Sequence, residues 1–183
     1  MTVLLVVAGL LALVGLWVVL TNNSFIRARN KVDEAWSGID IQLKRRHDLV
    51  PNLVDTVKGY AAHESATLAA VTQARAAAMG AGSGADRGAA EERLTSALDG
   101  IRVVAEQYPD LKASQNFQTL MAQLSELEDQ IQAARRIFNA NVNSYNTRIQ
   151  LFPNTLVAGG KFTARDLFQL DSPAERAVPA VAF

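Results

Sequence analysis

The 183-residue sequence has no cysteine and only two histidines, His47 and His63. The missing thiols exclude disulfides, thiolate-bound zinc, iron–sulfur clusters and a cysteine nucleophile, and two histidines leave little for a metal site. An excess of either charge is also missing, since Lys plus Arg and Asp plus Glu number 18 each. Without a basic surplus or stripe, no nucleic-acid partner is expected. Aromatic residues make up 7% of the chain, and β-branched residues do not alternate with polar ones. Sheets are therefore not expected, whereas the abundant alanine suits helices. No Gly-rich phosphate loop joins a strand to a helix, and no G-x-S-x-G is present, so neither a nucleotide fold nor a serine hydrolase is supported. The sequence calls for no cofactor and assembles no catalytic set, and a non-enzymatic protein is expected.

What is present begins with Val3–Leu20, 18 residues without a charged side chain. As a helix this run spans about 27 Å, close to the hydrocarbon thickness of a bilayer. Trp17 stands near its end, at interfacial depth. Nothing basic precedes the run, and Thr21-Asn22-Asn23-Ser24 offers no clean cleavage site, so a retained anchor is favoured over a cleaved signal. Arg27, Arg29 and Lys31 follow the run, which predicts the N-terminus outside and the rest of the chain in the cytoplasm. Ala8 and Ala12 form a small-xxx-small pair, a weak signal for self-association.

From Arg27 to Met79 apolar residues recur at helical spacing, through Val32, Trp36, Ile39, Leu43, Val50, Val54 and Val57 to Leu68 and Val71. A helix of this length is about 80 Å long. Pro51 interrupts it, because proline cannot donate to the carbonyl of His47 and crowds it; a kink is expected there. Trp36, at the centre of the stripe, is expected in the core. Gly80, Gly82, Gly84 and Gly88 mark a loop. A second helix is expected over 90–107, ended by Pro109, with Tyr108–Leu111 as a turn and Ser114 as a candidate N-cap. A third runs over 115–150, with Phe117, Leu120, Leu124, Leu127, Ile131, Phe138, Val142, Tyr145 and Ile149 along its seam. Residues 162–170 are read as a short docking helix. One-sided helices must bury their stripes against each other, so the fold class is all-α: a transmembrane helix followed by an antiparallel bundle. The expected division is an anchor at 1–24, a bundle at 25–170 and a loose tail at 171–183.

The stretch Lys31-Val-Asp-Glu-Ala-Trp36, then Ile39-Asp-Ile-Gln-Leu-Lys-Arg-Arg-His-Asp-Leu-Val-Pro-Asn-Leu-Val54, closely resembles the LemA family. So do Val57-Lys-Gly-Tyr-Ala-Ala-His-Glu64, Ala105-Glu-Gln-Tyr-Pro-Asp-Leu-Lys112, Asn116-Phe117, and Tyr145-Asn-Thr-Arg-Ile149 through Phe152-Pro153. The resemblance covers about residues 27–170. It implies a bacterial single-pass protein of the cytoplasmic membrane with a mostly cytoplasmic helical bundle, and no particular biochemical activity.

Several polar groups stand out. His63-Glu64-Ser-Ala-Thr67 misses the zinc-protease pattern by one residue, and His47 lies about 160° around the helix from His63, so no metal site is expected and His63 reads as exposed. His47 falls on the apolar stripe, within about 20° of Trp36 and Val54. With Asp40 on the same side and Pro51 freeing its carbonyl, it reads either as a satisfied polar pair beside the kink or as a partner-binding position. Rotation spreads Lys44, Arg45 and Arg46 over about 200°, so a solvated, ion-paired face is expected, with Asp40–Lys44 as an i,i+4 pair. Asn139, Asn143 and Asn146 share one edge of the third helix, with Asn141 on the other. They read as interhelical hydrogen bonds that set register, or as a polar strip for a partner. The expected partners are the lipid bilayer through residues 3–20 and an unidentified membrane or cytoplasmic protein, with homo-oligomerisation open. The expected role is a scaffold or adaptor acting by protein–protein interaction; the alternative is an oligomeric assembly that organises or shapes the membrane.

Overall fold

The structure is a computed structural model that describes residues 1–82 and 84–169. Among the described residues there are six helices and no strand: α1 (Thr2–Tyr60), α2 (Ser65–Gly80), α3 (Ala85–Gln107), α4 (Pro109–Ala113), α5 (Gln115–Gln150) and α6 (Asn154–Ala158). The all-α class holds. The chain forms two compact units, one of residues 1–39 with 134–167, the other of residues 40–133 with Phe168 and Gln169.

In the first unit, α1 begins with a segment long and apolar enough to cross a membrane, none of it buried against protein. Its inward stripe then starts at Thr21 and Phe25 and continues through Val32 and Ile39, at steps of four and seven. Facing it are Phe138, Val142, Tyr145 and Ile149 of α5. The pairing is antiparallel. Arg148 Nη1 reaches Ser24 Oγ at 2.6 Å, Asn141 Nδ2 reaches the Lys31 carbonyl at 3.3 Å, and the rings of Trp36 and Phe138 lie 5.4 Å apart. As the α1 number climbs, the α5 number falls. Trp36 is only half-buried, contrary to the expectation that it anchors the core.

The expected helix over 162–170 does not form: residues 163–169 have no regular secondary structure, and Leu170 and the expected tail at 171–183 lie outside the described residues. Side chains of α5 offer this segment better partners than its own helix would. Asn146 accepts from the Arg165 amide and donates to the Arg165 carbonyl, both at 2.8 Å, and Tyr145 Oη donates to the Thr163 carbonyl at 3.1 Å. Phe162 packs edge-on against Phe25, centroids 5.0 Å apart.

In the second unit the core runs through Val50, Leu53 and Val57 of α1, Leu68 and Val71 of α2, Leu94, Ile101 and Val104 of α3, Leu111 of α4, and Phe117, Leu120 and Leu124 of α5. The helix expected to reach Met79 is broken by a turn at Ala62-His63. Gly59 weakens the helix just before this point, and a separate α2 adds Leu68, Val71 and Ala78 to the core that Val57 and Ala61 share. The helix expected second, over 90–107, is α3 and starts at Ala85 rather than residue 90. Gly84 precedes it at φ 78°, a conformation that favours glycine. Gly88, expected in a loop, is helical and has no room for a side chain: a Cβ there would run into the backbone carbonyl of Gln169. The expected turn at Tyr108–Leu111 is the short α4, with Pro109 at its first position, where no amide is needed.

Candidate functional site

Apolar stripes make these helices bind each other, so charged residues on the stripes must meet. In α1 the buried positions run Leu43, Arg46, Val50, Leu53 and Val57, with His47 beside Arg46. In α3 Glu91 precedes Leu94 by three positions; in α5 Glu128 lies between the buried Leu124 and Ile131. The structure brings these polar positions together in the second unit. Arg46, 1% exposed, donates through Nη2 to Oε2 of Glu91, which is 0% exposed. Arg46 Nη1 donates to Glu128 Oε2 at 2.8 Å and to Thr95 Oγ1 at 3.1 Å. His47 Nε2 lies 3.0 Å from Glu91 Oε1 and 3.2 Å from Oε2. A carboxylate only accepts, so this nitrogen carries a proton. Burial pushes the Glu91 carboxyl up; the hydrogen bond from His47, the Arg46 charge and the Arg46 hydrogen bond together outweigh that, and the group ends below its ordinary value. A cleft of about 140 Å³ reaches Arg46, Thr95 and Glu128 but is not lined by His47 or Glu91.

Pro51 sits inside α1, which continues on both sides of it. The carbonyl of His47, which a proline at 51 leaves without its helical donor, accepts Arg75 Nε from α2 at 2.7 Å. The proline thus creates an acceptor that ties α2 to α1. Asp40 does not pair with His47 or Lys44 as expected. It pairs with Arg87 of α3 at 2.5 Å, half-exposed on the carboxylate side. The expectation of an exposed face at Lys44–Arg46 holds for Lys44 and Arg45 and fails for Arg46.

The asparagines separate. Asn146 clamps the Arg165 backbone, Asn141 bonds the Lys31 carbonyl, Asn139 is half-buried with a polar partner, and Asn143 is exposed. They do not form one strip. His63 is exposed, and Glu64 accepts Tyr108 Oη at 3.1 Å, a bond that raises the Tyr108 hydroxyl above its ordinary range. Among the described residues no three metal-binding side chains converge.

Arg75, Arg87, Glu91 and Glu128 are absent from the residues the sequence singles out, and Arg46 is read there as part of a solvated face, although their stripe positions were readable. A charged residue in an apolar register is itself a signal that a partner waits on another helix.

A membrane-associated, all-helical protein with a buried polar tie is the class these features define. The family model for LemA matches residues 35–183, and the chain belongs to the LemA family. It is similar to the protein LemA of Metamycoplasma hominis, 34% identical over 140 residues that make up 74% of this chain and 63% of the relative. It is also similar to the magnetosome protein MamQ 2 of Paramagnetospirillum magneticum, 26% identical over 83% of this chain and 65% of the relative. A third relative, the magnetosome protein MamQ of Magnetospirillum gryphiswaldense, is 25% identical over 72% of this chain and 58% of its own length. The chain therefore spans less than two thirds of the curated relatives it matches.

Proposed function

We propose that this protein is a non-enzymatic scaffold or adaptor, anchored in the cytoplasmic membrane by residues 3–20, with its N-terminus outside and its bundle in the cytoplasm. The observation that carries this reading is the enclosure of the polar cluster. His47 and Glu91 are the groups best suited to acid–base work, yet they are buried and bound to each other, with Glu91 also held by Arg46. Spent in this way, they fix which helix faces meet, the best-attested use of buried polar groups. Exposed faces of the helices are then left to meet a partner. The similarity to proteins named for the magnetosome fits work within an assembly.

The test is site-specific photo-cross-linking in native membranes, with the reactive group at Asn143, Ile137 or Val103, all exposed. A discrete adduct with a different protein is expected from at least one position. Adducts with a second copy alone would replace the adaptor with a homo-oligomeric membrane assembly. No adduct at any position would remove the interaction role.

A further inference from the structure

Beyond the anchor, the first unit carries a second apolar surface that protein does not cover. Leu151, Phe152 and Leu156, in the corner between α5 and α6, are 56%, 81% and 70% exposed. Isolated exposed apolar residues are ordinary; three within six positions at a helix corner are a patch. Its place on the anchor decides what covers it. Leu156 and Val157 share a groove of about 570 Å³ with Val14, Trp17, Val18 and Asn22. Val14 lies six residues inside the end of the apolar run, about 9 Å along the helix axis. A corner that reaches this level lies within the outer part of the hydrocarbon whenever the run spans the bilayer. Interfacial elements bury their apolar faces to about that depth, 5–10 Å.

Next along α1 comes a cavity of about 200 Å³ lined by Arg27, Ala28, Lys31, Asn141, Ser144 and Arg148. It holds three cations and no carboxylate, and among the described residues no acidic group pairs with Arg27, Lys31 or Arg148. Arg148 is held on Ser24 Oγ at 2.6 Å, four residues or about 6 Å beyond Leu20. The headgroup layer on each side of a bilayer is about 5–8 Å thick. Arg148 thus stands at the level of lipid phosphates, and Arg27 just beyond it.

We propose that the α5–α6 corner is a second membrane contact, in which Leu151, Phe152 and Leu156 enter the leaflet beside the anchor while Arg148 and Arg27 receive the phosphate of an anionic phospholipid, with Lys31 adding its charge from further out. This rests on the reading of residues 3–20 as a membrane anchor. The contact fixes the first unit against the bilayer surface, which a lone helix, free to rotate about its axis, does not.

The cysteine-free sequence makes the test direct. Single substitutions Phe152→Cys and Leu156→Cys in the full chain are labelled with an environment-sensitive fluorophore, beside Leu10→Cys in the anchor and Ile137→Cys on an exposed face of α5. Each is reconstituted into vesicles of phosphatidylcholine and phosphatidylglycerol with brominated acyl chains. Labels at 10, 152 and 156 are expected to be quenched about two-fold or more, as burial to interfacial depth requires, and the label at 137 to be unaffected. Quenching at 10 with none at 152 and 156 overturns this contact and leaves the anchor standing. No quenching at 10 removes the anchor and the contact with it. Placing the bromine on only one lipid at equal mole fraction tests the cations. Brominated phosphatidylglycerol is expected to quench the label at 156 about five-fold more effectively than brominated phosphatidylcholine. Equal quenching in the otherwise unaltered chain overturns the phosphate site. So does a preference that survives the combined Arg27→Gln, Lys31→Gln and Arg148→Gln substitutions.

Discussion

Glu91 shows how much one side chain decides. Its carboxylate is out of water, and Arg46 and His47 replace the lost solvent. The desolvation cost of such a cluster offsets most of its attraction, so the intact cluster adds little net stability. Removing Glu91 is different, because Arg46 then stays buried with only the partly exposed Glu128 left to it and His47 loses its acceptor. Glu91→Gln should therefore cost about 3–5 kcal/mol, whereas a substitution at exposed His63 should stay within about 0.5 kcal/mol. Comparable losses at both sites in a thermal or denaturant melt would show that Glu91 is not the keystone described above. The same group gives a pH dependence. Its folded pKa is lowered from the ordinary 4.5, so the unfolded chain binds the proton more readily. The stability it contributes is complete above the unfolded value and is lost as pH falls through the folded one. The gap in melting temperature between the natural chain and Glu91→Gln should be constant at neutral pH and narrow below about pH 4. A gap that widened in acid would reverse the assigned sign.

At the scale of an element, Pro51 is the informative case. An interior proline in a helix costs about 3 kcal/mol, partly through the carbonyl it leaves unpaired. Here Arg75 Nε occupies that carbonyl from α2. The two residues should therefore be coupled. Arg75→Ala should cost about 1.5–3 kcal/mol in the natural chain, as a charged hydrogen bond does. It should cost distinctly less in a Pro51→Ala background, where the restored amide of residue 51 meets the same carbonyl. A double-mutant cycle measures the difference directly; additive losses would mean that Arg75 acts independently of the proline. The freed carbonyl of His47 was legible in the sequence, because the rule needs only the four-residue spacing. Its occupant was not, because nothing local says that α1 ends at Tyr60 and that Arg75 belongs to another helix. The same division runs through the fold. The 36-residue α5 was legible to the residue, since its seam is unbroken and a proline closes the chain just beyond it. The segment after Phe162 was misread, since its apolar spacing suits a helix and only the side chains of α5, nearly twenty residues away, hold its backbone. His47 was correctly placed on an inner face, yet its partner is Glu91 and not Asp40. Proximity along one helix says less than a charge standing in an apolar register on another.

For the whole molecule, what the sequence lacks becomes a tool. Net charge is zero, so orientation in a membrane cannot follow from total charge. It is expected to follow from where the cations stand, and Arg27, Arg29 and Lys31 lie within 11 residues after Leu20. Basic residues this close to a span stay on the cytoplasmic side. If the corner at Leu151–Leu156 also sits in that leaflet, Arg148 adds to the same preference. Because the sequence holds no cysteine, a single introduced thiol reports its own side. Val103 is exposed on α3, and Val103→Cys should react with a membrane-impermeant maleimide only after cells are permeabilised. Thr2→Cys, at the other end of the apolar run, should react in intact cells. The reverse pattern would place the bundle outside and separate these cations from the orientation they are expected to set. Reaction of both thiols in intact cells would show that residues 3–20 do not span the bilayer at all, and the anchored scaffold would have to be abandoned with them.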